Sequence, residues 1–163
     1  MYRTLDIEIT ELDIRDLAII SLIISAHFTM TGRGWLTLLR EAARNIARIL
    51  IMKGLIEDTD INTVIRSLSN IIINKNGATR IEHKVEGDSI QVEIENCTFN
   101  KICITLNKIE QQLTCLRKRP HPRPCPVAIL YSELLTEYTE SQYDIYDIEQ
   151  QENKCRLGII RLI

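Results

Sequence analysis

Cysteine and histidine supply most of the reactive side chains in this 163-residue chain. Cys97, Cys103, Cys115, Cys125 and Cys155 are odd in number, widely spaced and not preceded by a secretion signal, which argues against a disulfide framework. Buried thiols, metal ligands or a mixture of the two are the readings left open. His83 falls between Ile81 and Val85 on the apolar side of an alternating segment. There its ring could hydrogen-bond the polar end of a ligand or be satisfied within the core. His27 carries the same two readings. Trp35 follows the Gly32-Arg33-Gly34 break, where an indole can wall a pocket or anchor a core.

Catalytic signatures are scarce. Gly32-Arg33-Gly34 lacks the third glycine and the strand–helix setting of a dinucleotide loop. No Ser-His-Asp or Cys-His order has a local signature, and only Cys125, near His121, has an activating neighbour. A reductase needs a hydride source, and nothing in the chain cradles one. An enzyme is therefore the weaker reading, and no catalytic residue is assigned.

Bulk composition agrees with one soluble domain over residues 1–163. Hydrophobic residues make up 45%, charged residues 26% and aromatics 5%, so the core is aliphatic and poor in rings. Such a core suits tight packing or a greasy cavity. The net charge of -2 gives no reason to expect nucleic acid. The basic loop Arg117 to Arg123 has no interleaved aromatics, which favours a solvated loop. Residues 133–152 hold seven acidic side chains and no Lys or Arg, an asymmetry that could orient a dimer or be plain solvation. No apolar leader opens the chain, and Leu17 to Met30 is short and interrupted for a membrane span, so a cytoplasmic location is expected.

The elements that must position these residues follow from periodicity. Tyr2 to Thr10 alternates as a half-buried strand, and Leu17 to Met30 is ambiguous between strand and helix. Leu36 to Lys53 predicts a helix, with Leu39, Ala43, Ile46 and Leu50 on one stripe and Arg40, Arg44 and Arg48 on another face. Gly54 is its C-cap. A second helix runs from Ile61 to Ile73, with Asp58, Thr59 and Asp60 as capping candidates. From Ala78 the period becomes two. Ile81, His83 and Val85, then Ile90, Val92 and Ile94, form the apolar face of a β-hairpin around Glu86-Gly87-Asp88. Arg80 and Lys84 can face Glu93 and Glu95 across it. Ile102 to Leu116 reads as a strand entering a short helix, and the prolines of 117–124 make a loop. Pro126 opens a helix to about Tyr138, with Val127, Tyr131, Leu134 and Tyr138 inward and Glu133, Glu137 and Glu140 on its solvated side. Strands near 143–148 and 155–163 close the chain. The expected class is α+β, an antiparallel sheet with helices packed on one face.

The last third carries a resemblance. Pro124-Cys125-Pro126-Val127-Ala128-Ile129-Leu130-Tyr131-Ser132-Glu133-Leu134-Leu135 resembles a signature of the vinyl-4-reductase (hydrocarbon-binding) family. In that signature a Pro-x-Cys or similar turn opens a helix, a strand follows, and the chain closes on Cys-Arg-aromatic, here Cys155-Arg156-Leu157. The run 40–47 is similar to a helix that usually reads Gly-Arg-x-x-Gly, and 95–99 matches the stretch before the family's Cys-containing turn. The resemblance spans about 36–163. The glycines of the pattern in both helices are replaced, with Ala43 at one such position and Ser132 near another.

The resemblance implies a ligand-binding domain, of a family found alone in archaea and as the sensor part of aromatic-responsive activators. Its fold is similar to Golgi transport tethering subunits and NO-signalling ligand-binding domains. It implies a homodimer with an apolar pocket between helices and sheet, for which Trp35, Leu39, Ile46, His83 and Tyr131 are the ligand-binding candidates. Sensor members hold zinc with a Cys before the helix, then Glu-x-x-Cys, then the closing Cys. Cys125 and Cys155 match the outer positions, and Asp144 and Asp147 stand at the middle spacing counted from Cys155. A shorter loop puts Tyr146 and Glu149 there instead, and Cys115 and His121 could swing in. The function expected is a sensor or carrier for a small hydrophobic molecule. A reductase-type enzyme of tetrapyrrole or cofactor metabolism and a protein-interaction scaffold are the alternatives.

Overall fold

A computed structural model describes residues 34–57, 60–100 and 125–162. The strand expected at 2–10, the ambiguous segment 17–30, the segment 102–116 and the basic loop 117–123 lie outside the described residues, as do His27, Cys103, Cys115 and His121. Three helices and four strands follow in order: α1 (Gly34–Met52), α2 (Ile61–Asn74), β1 (Arg80–Glu86), β2 (Ser89–Glu95), α3 (Pro126–Thr139), β3 (Tyr143–Gln150) and β4 (Lys154–Arg161).

Local chemistry sets the ends of these elements. At the close of α1, Leu55 N–H donates to Leu50 O at 3.0 Å and Gly54 N–H to Ile51 O at 2.9 Å, with Gly54 at φ +65°. This paired closure needs a left-handed residue, which glycine supplies without a Cβ clash. Of the three capping candidates before α2, Asp60 does the work: its Oδ1 accepts from Thr63 N–H at 3.1 Å. Between β1 and β2 only Gly87 of the two turn residues has positive φ, as a two-residue hairpin loop with glycine first requires.

The sheet has the order β1-β2-β4-β3, antiparallel throughout. Its inner face carries Ile81, His83 and Val85 from β1, Ile90, Val92 and Ile94 from β2, Cys155, Leu157 and Ile159 from β4, and Tyr143, Ile145 and Ile148 from β3. The helices pack on that side, so the expected α+β arrangement holds. On the outer face Arg80 sits opposite Glu95, as expected. Glu93, however, is taken by β4, where Arg156 Nη2 lies at 2.7 Å and Lys154 Nζ at 2.6 Å. Those two donors hold its carboxyl below the usual range.

One expectation is corrected by α3. Glu133 belongs not to a solvated side but to the core, at 2% exposure. The helix is covered twice, by the sheet on one side and by α1 on the other, so apolar residues nearly encircle it. The arginine stripe of α1 faces this second side. Arg40 Nη1 reaches Glu133 Oε1 at 3.1 Å, while Arg44 Nε and Nη2 reach Oε2 at 3.1 and 3.0 Å. One turn along, Arg48 forks onto Glu137 at 2.8 and 3.1 Å. Arg40 also bonds Asp144 on β3, tying α1 to the sheet edge. Ser132 donates to Tyr143 O at 2.9 Å and joins α3 to β3.

Two outcomes test this packing. Converting Arg40 and Arg44 together to Met, with Glu133 retained, strands a buried carboxylate. Urea unfolding should register a loss of about 3–5 kcal/mol. Adding Glu133→Leu should restore most of it, and a double variant as stable as wild type would show the pairing to be ornamental. At Gly158 an added Cβ would stand 2.6 Å from Cζ of Tyr146, whose ring lies across the strand and whose hydroxyl is 3.2 Å from Ser89 Oγ. Gly158→Ala should therefore push the ring aside and cost about 1 kcal/mol, the scale of one hydrogen bond. In a Tyr146→Ala background the same change should cost nothing further.

Candidate functional site

Where α1, α2 and the first turn of α3 meet, the core leaves an apolar cleft of about 70 Å³. Helical periodicity builds its first wall: Leu39, Ala42, Ala43 and Ile46 recur at i, i+3, i+4 and i+7 along α1. The small side chains of Ala42 and Ala43 leave the space open. Ile72 of α2 and Phe99, in the loop after β2, form the second wall. Pro126, Val127, Ile129 and Leu130 of α3 form the third. Among the described residues that line it none titrates and almost all of the surface is apolar, so these walls bury apolar groups and supply no proton.

The expected ligand-binding residues divide. Leu39 and Ile46 line the cleft. Trp35 lies in the first turn of α1, and its side chain is outside the described residues. Tyr131 does not reach the cleft. It is fully buried, with its hydroxyl 2.7 Å from Ser69 Oγ, which in turn donates to Ile65 O. Burial holds its phenol protonated, well above the usual range. His83 is half-buried on edge strand β1, where burial and then the charge of Arg66 lower its pKa. It too lies apart from the cleft. The lining not among those candidates is Ala42, Ala43, Ile72, Phe99 and the start of α3. The signal for Ala42 was its spacing of three residues from Leu39 and four from Ile46.

A second constellation stands behind the cleft walls. Cys97, two residues before Phe99, Cys125, immediately before Pro126, and Cys155 of β4 are all buried in the same core cluster. Asn100 arranges their surroundings. Its Nδ2 donates to Gln151 O at 2.8 Å and Glu152 O at 2.9 Å, and its backbone N–H donates to Cys97 O at 2.9 Å. The Cys155 thiol lies 3.9 Å from Asn100 Oδ1. Asn96 N–H donates to Asn153 O at 2.8 Å, so the loop after β2 and the β3–β4 turn are laced together. Burial, then the neighbouring Cys125, pushes the Cys97 thiol up to about 11. Burial, then Cys125 and Cys97, pushes Cys155 up to about 12. Thiols held protonated in this way are poor nucleophiles.

The structure does not assemble the metal set Cys125, Asp144, Asp147 and Cys155. Cys155 pairs with Gln150, whereas Asp147 pairs with Gly158 and Asp144 with Ile160. At ~3.3 Å per residue those positions lie roughly 10 and 17 Å along β4 from the thiol. Asp147 is exposed on the outer face, and Asp144 is held by Arg40. The alternative pair fares no better, since Tyr146 lies over Gly158 and Glu149 faces Arg156. Spacing along the sequence carried no information about strand register or about the bulge between Ile145 and Asp147. Among the described residues no three His, Cys, Asp or Glu side chains already stand at metal-ligand spacing.

Comparison with known proteins adds three findings. No curated protein matches the chain. A solved structure described as "Modulating Heme Redox Potential Through Protein-Induced Porphyrin Distortion" is similar in fold, with a TM-score of 0.50 and 13% identity, over 94% of this chain and 77% of that one. At that identity the likeness concerns the fold. The family whose model matches is a different one from the vinyl-4-reductase family that residues 36–163 resemble, and the match does not extend to that family. The match spans residues 17–161, and the chain belongs to the family described as "Putative rubredoxin C-terminal domain".

Proposed function

We propose that this chain is a small-molecule-binding module whose ligand is apolar over the part that enters the cleft between α1, α2 and α3. The observation that carries the reading is the lining itself: among the described residues it is aliphatic side chains from two helices and the start of a third, with one phenyl ring and no titratable group. Such a surface holds a ligand by shape and by release of water, worth about 25 cal/mol per Å² of apolar area removed from solvent. A volume of about 70 Å³ is roughly half that of a cavity, ~150 Å³, that takes benzene, and the cleft is partly open. It therefore accommodates a small group or the edge of a larger molecule. The fold likeness to a protein studied for its porphyrin is consistent with this architecture serving small-molecule binding.

A sensor or carrier fits this site better than an enzyme does, because the described residues that line the cleft offer no acid, base or nucleophile to a bound molecule. Among the described residues no helix is long and apolar enough to cross a membrane.

Toluene is a suitable probe. Its addition to the isotope-labelled protein should shift the amide resonances of Ala42, Ala43 and Val127, with the β1–β2 hairpin unmoved. Ala42→Phe fills the cleft from a half-exposed position and should weaken toluene binding about tenfold or more, or ~1.4 kcal/mol. Its thermal midpoint should be unchanged or raised. Equal binding by wild type and Ala42→Phe, or shifts confined to other regions, would sink the reading.

A further inference from the structure

We propose that the open edge of β1 is an interaction surface for a second copy of this chain, which adds its own β1 antiparallel in a single register centred on His83. Among the described residues β1 pairs with β2 alone, so it closes the sheet on one side. Its residues Arg80–Glu86 run without a bulge or a proline. Glu86 and Ser89 flank a two-residue hairpin turn and form a hydrogen-bonded pair, so every second residue of β1 from Glu86 turns its N–H and C=O to β2. Ile81, His83 and Val85 turn theirs to the open edge. A row of donors and acceptors facing outward is a template for another strand.

Charge selects both the occupant and the register. The outer side chains of β1 alternate in sign as Arg80, Glu82, Lys84 and Glu86, and all are exposed. Reversed about His83, that series is its own complement: Arg80 of each copy stands opposite Glu86 of the other, and Glu82 opposite Lys84. Both pairs fall at non-hydrogen-bonded positions, where facing side chains stand closer and opposite charges stabilise the pairing. Backbone bonding requires Ile81, His83 and Val85 to face one another, so the nearest other two-fold registers centre on Glu82 or on Lys84. Each of those sets a charge directly against its own copy, which is destabilising. On the inner face Ile81 meets Val85, and His83 meets His83. Burial, then the charge of Arg66, lowers the pKa of that imidazole, so the two rings meet uncharged near neutral pH. Ile81 and Val85 pack against the core but are only partly buried, and an added strand covers their free side.

The opposite edge of the sheet is built against such addition. Strand β3 carries a bulge between Ile145 and Asp147, and its charged residues are all acidic: Asp144, Asp147 and Glu149. A second β3 laid beside it would meet an irregular ladder and like charges. In β1, Arg80 already pairs with Glu82 and Lys84 with Glu86 along the strand. An opposing copy gives each of these groups a further partner across the edge. The interface does not rest on the ligand reading of the cleft.

Sedimentation of the full chain over a concentration series tests the proposal. The wild type should move toward twice the mass of one chain as concentration rises. Glu82→Lys places a cation opposite Lys84 of the other copy and should weaken association about tenfold or more. It should leave the chain folded, because within the hairpin position 82 faces Glu93, which a cation suits better than a carboxylate. Lys84→Glu should weaken association in the same way. An equimolar mixture of the two single variants restores every opposite-charge pair and should associate as the wild type does. If Lys84→Glu fails to fold, the double variant Glu82→Lys/Lys84→Glu, which restores the pairs between identical chains, takes the place of the mixture. Hydrogen exchange in the wild type should slow at the amides of Ile81, His83 and Val85 as the chains associate. A wild type that stays monomeric, association unaltered by Glu82→Lys, or charge-complementary chains that stay apart overturns the proposal. The same three amides already slow in monomeric Glu82→Lys would also overturn it, because the chain would then cover this edge itself.

Discussion

The carboxylate of Glu133 is taken out of water in the middle of α3, and much of the helical layer is arranged to make that tolerable. A buried charge without partners costs several kcal/mol, and two guanidinium groups bonded to both oxygens offset that cost. The partners come from α1, so α1 must lie alongside α3 with its arginine stripe turned inward. Arg40 extends the same constraint to β3 through Asp144. In this way one carboxylate sets the register of two helices and anchors them to the edge of the sheet.

That register creates the cleft. With Arg40, Arg44 and Arg48 committed to the seam, the neighbouring stripe of α1 presents Leu39, Ala42, Ala43 and Ile46 toward Ile72, Phe99 and the first turn of α3. Ala42 and Ala43 are too small to fill the gap between helices held apart by larger contacts on either side. The same first turn begins at Cys125, so the apolar cleft and the thiol cluster share a structural border. Phe99 and Cys97 repeat that adjacency on the loop after β2.

Much of this was legible from periodicity. The hairpin, its apolar face, the α1 and α2 stripes and their caps follow from spacings of two and of three to four residues, because each of these elements has one covered face. Helix α3 defeated the same reasoning, for it is covered on two sides and a carboxylate on its second face looks solvated. The clue lay in another element: arginines at 40, 44 and 48 repeat at the pitch of Glu133 and Glu137. The metal set failed for a related reason. Asp144 and Asp147 have a plausible spacing from Cys155 in sequence, but strand pairing sends them along β4 and onto the other face. Cys97 was read only as one thiol among five because nothing local distinguishes it, and the pairing of β2 with β4 brings its loop toward Cys155. The resemblance in the last third pointed to a ligand-binding fold, while the family model that matches carries a different description.

The central claim is that the gap between the helices is a ligand site rather than a packing imperfection. Native mass spectrometry tests it most directly, on gently purified protein incubated with an extract of cellular apolar metabolites. The account predicts a noncovalent added mass of organic composition on the wild-type chain, released by denaturing solvent and absent from Ala42→Phe. A bare polypeptide in both samples, or the same added mass on both, would contradict it.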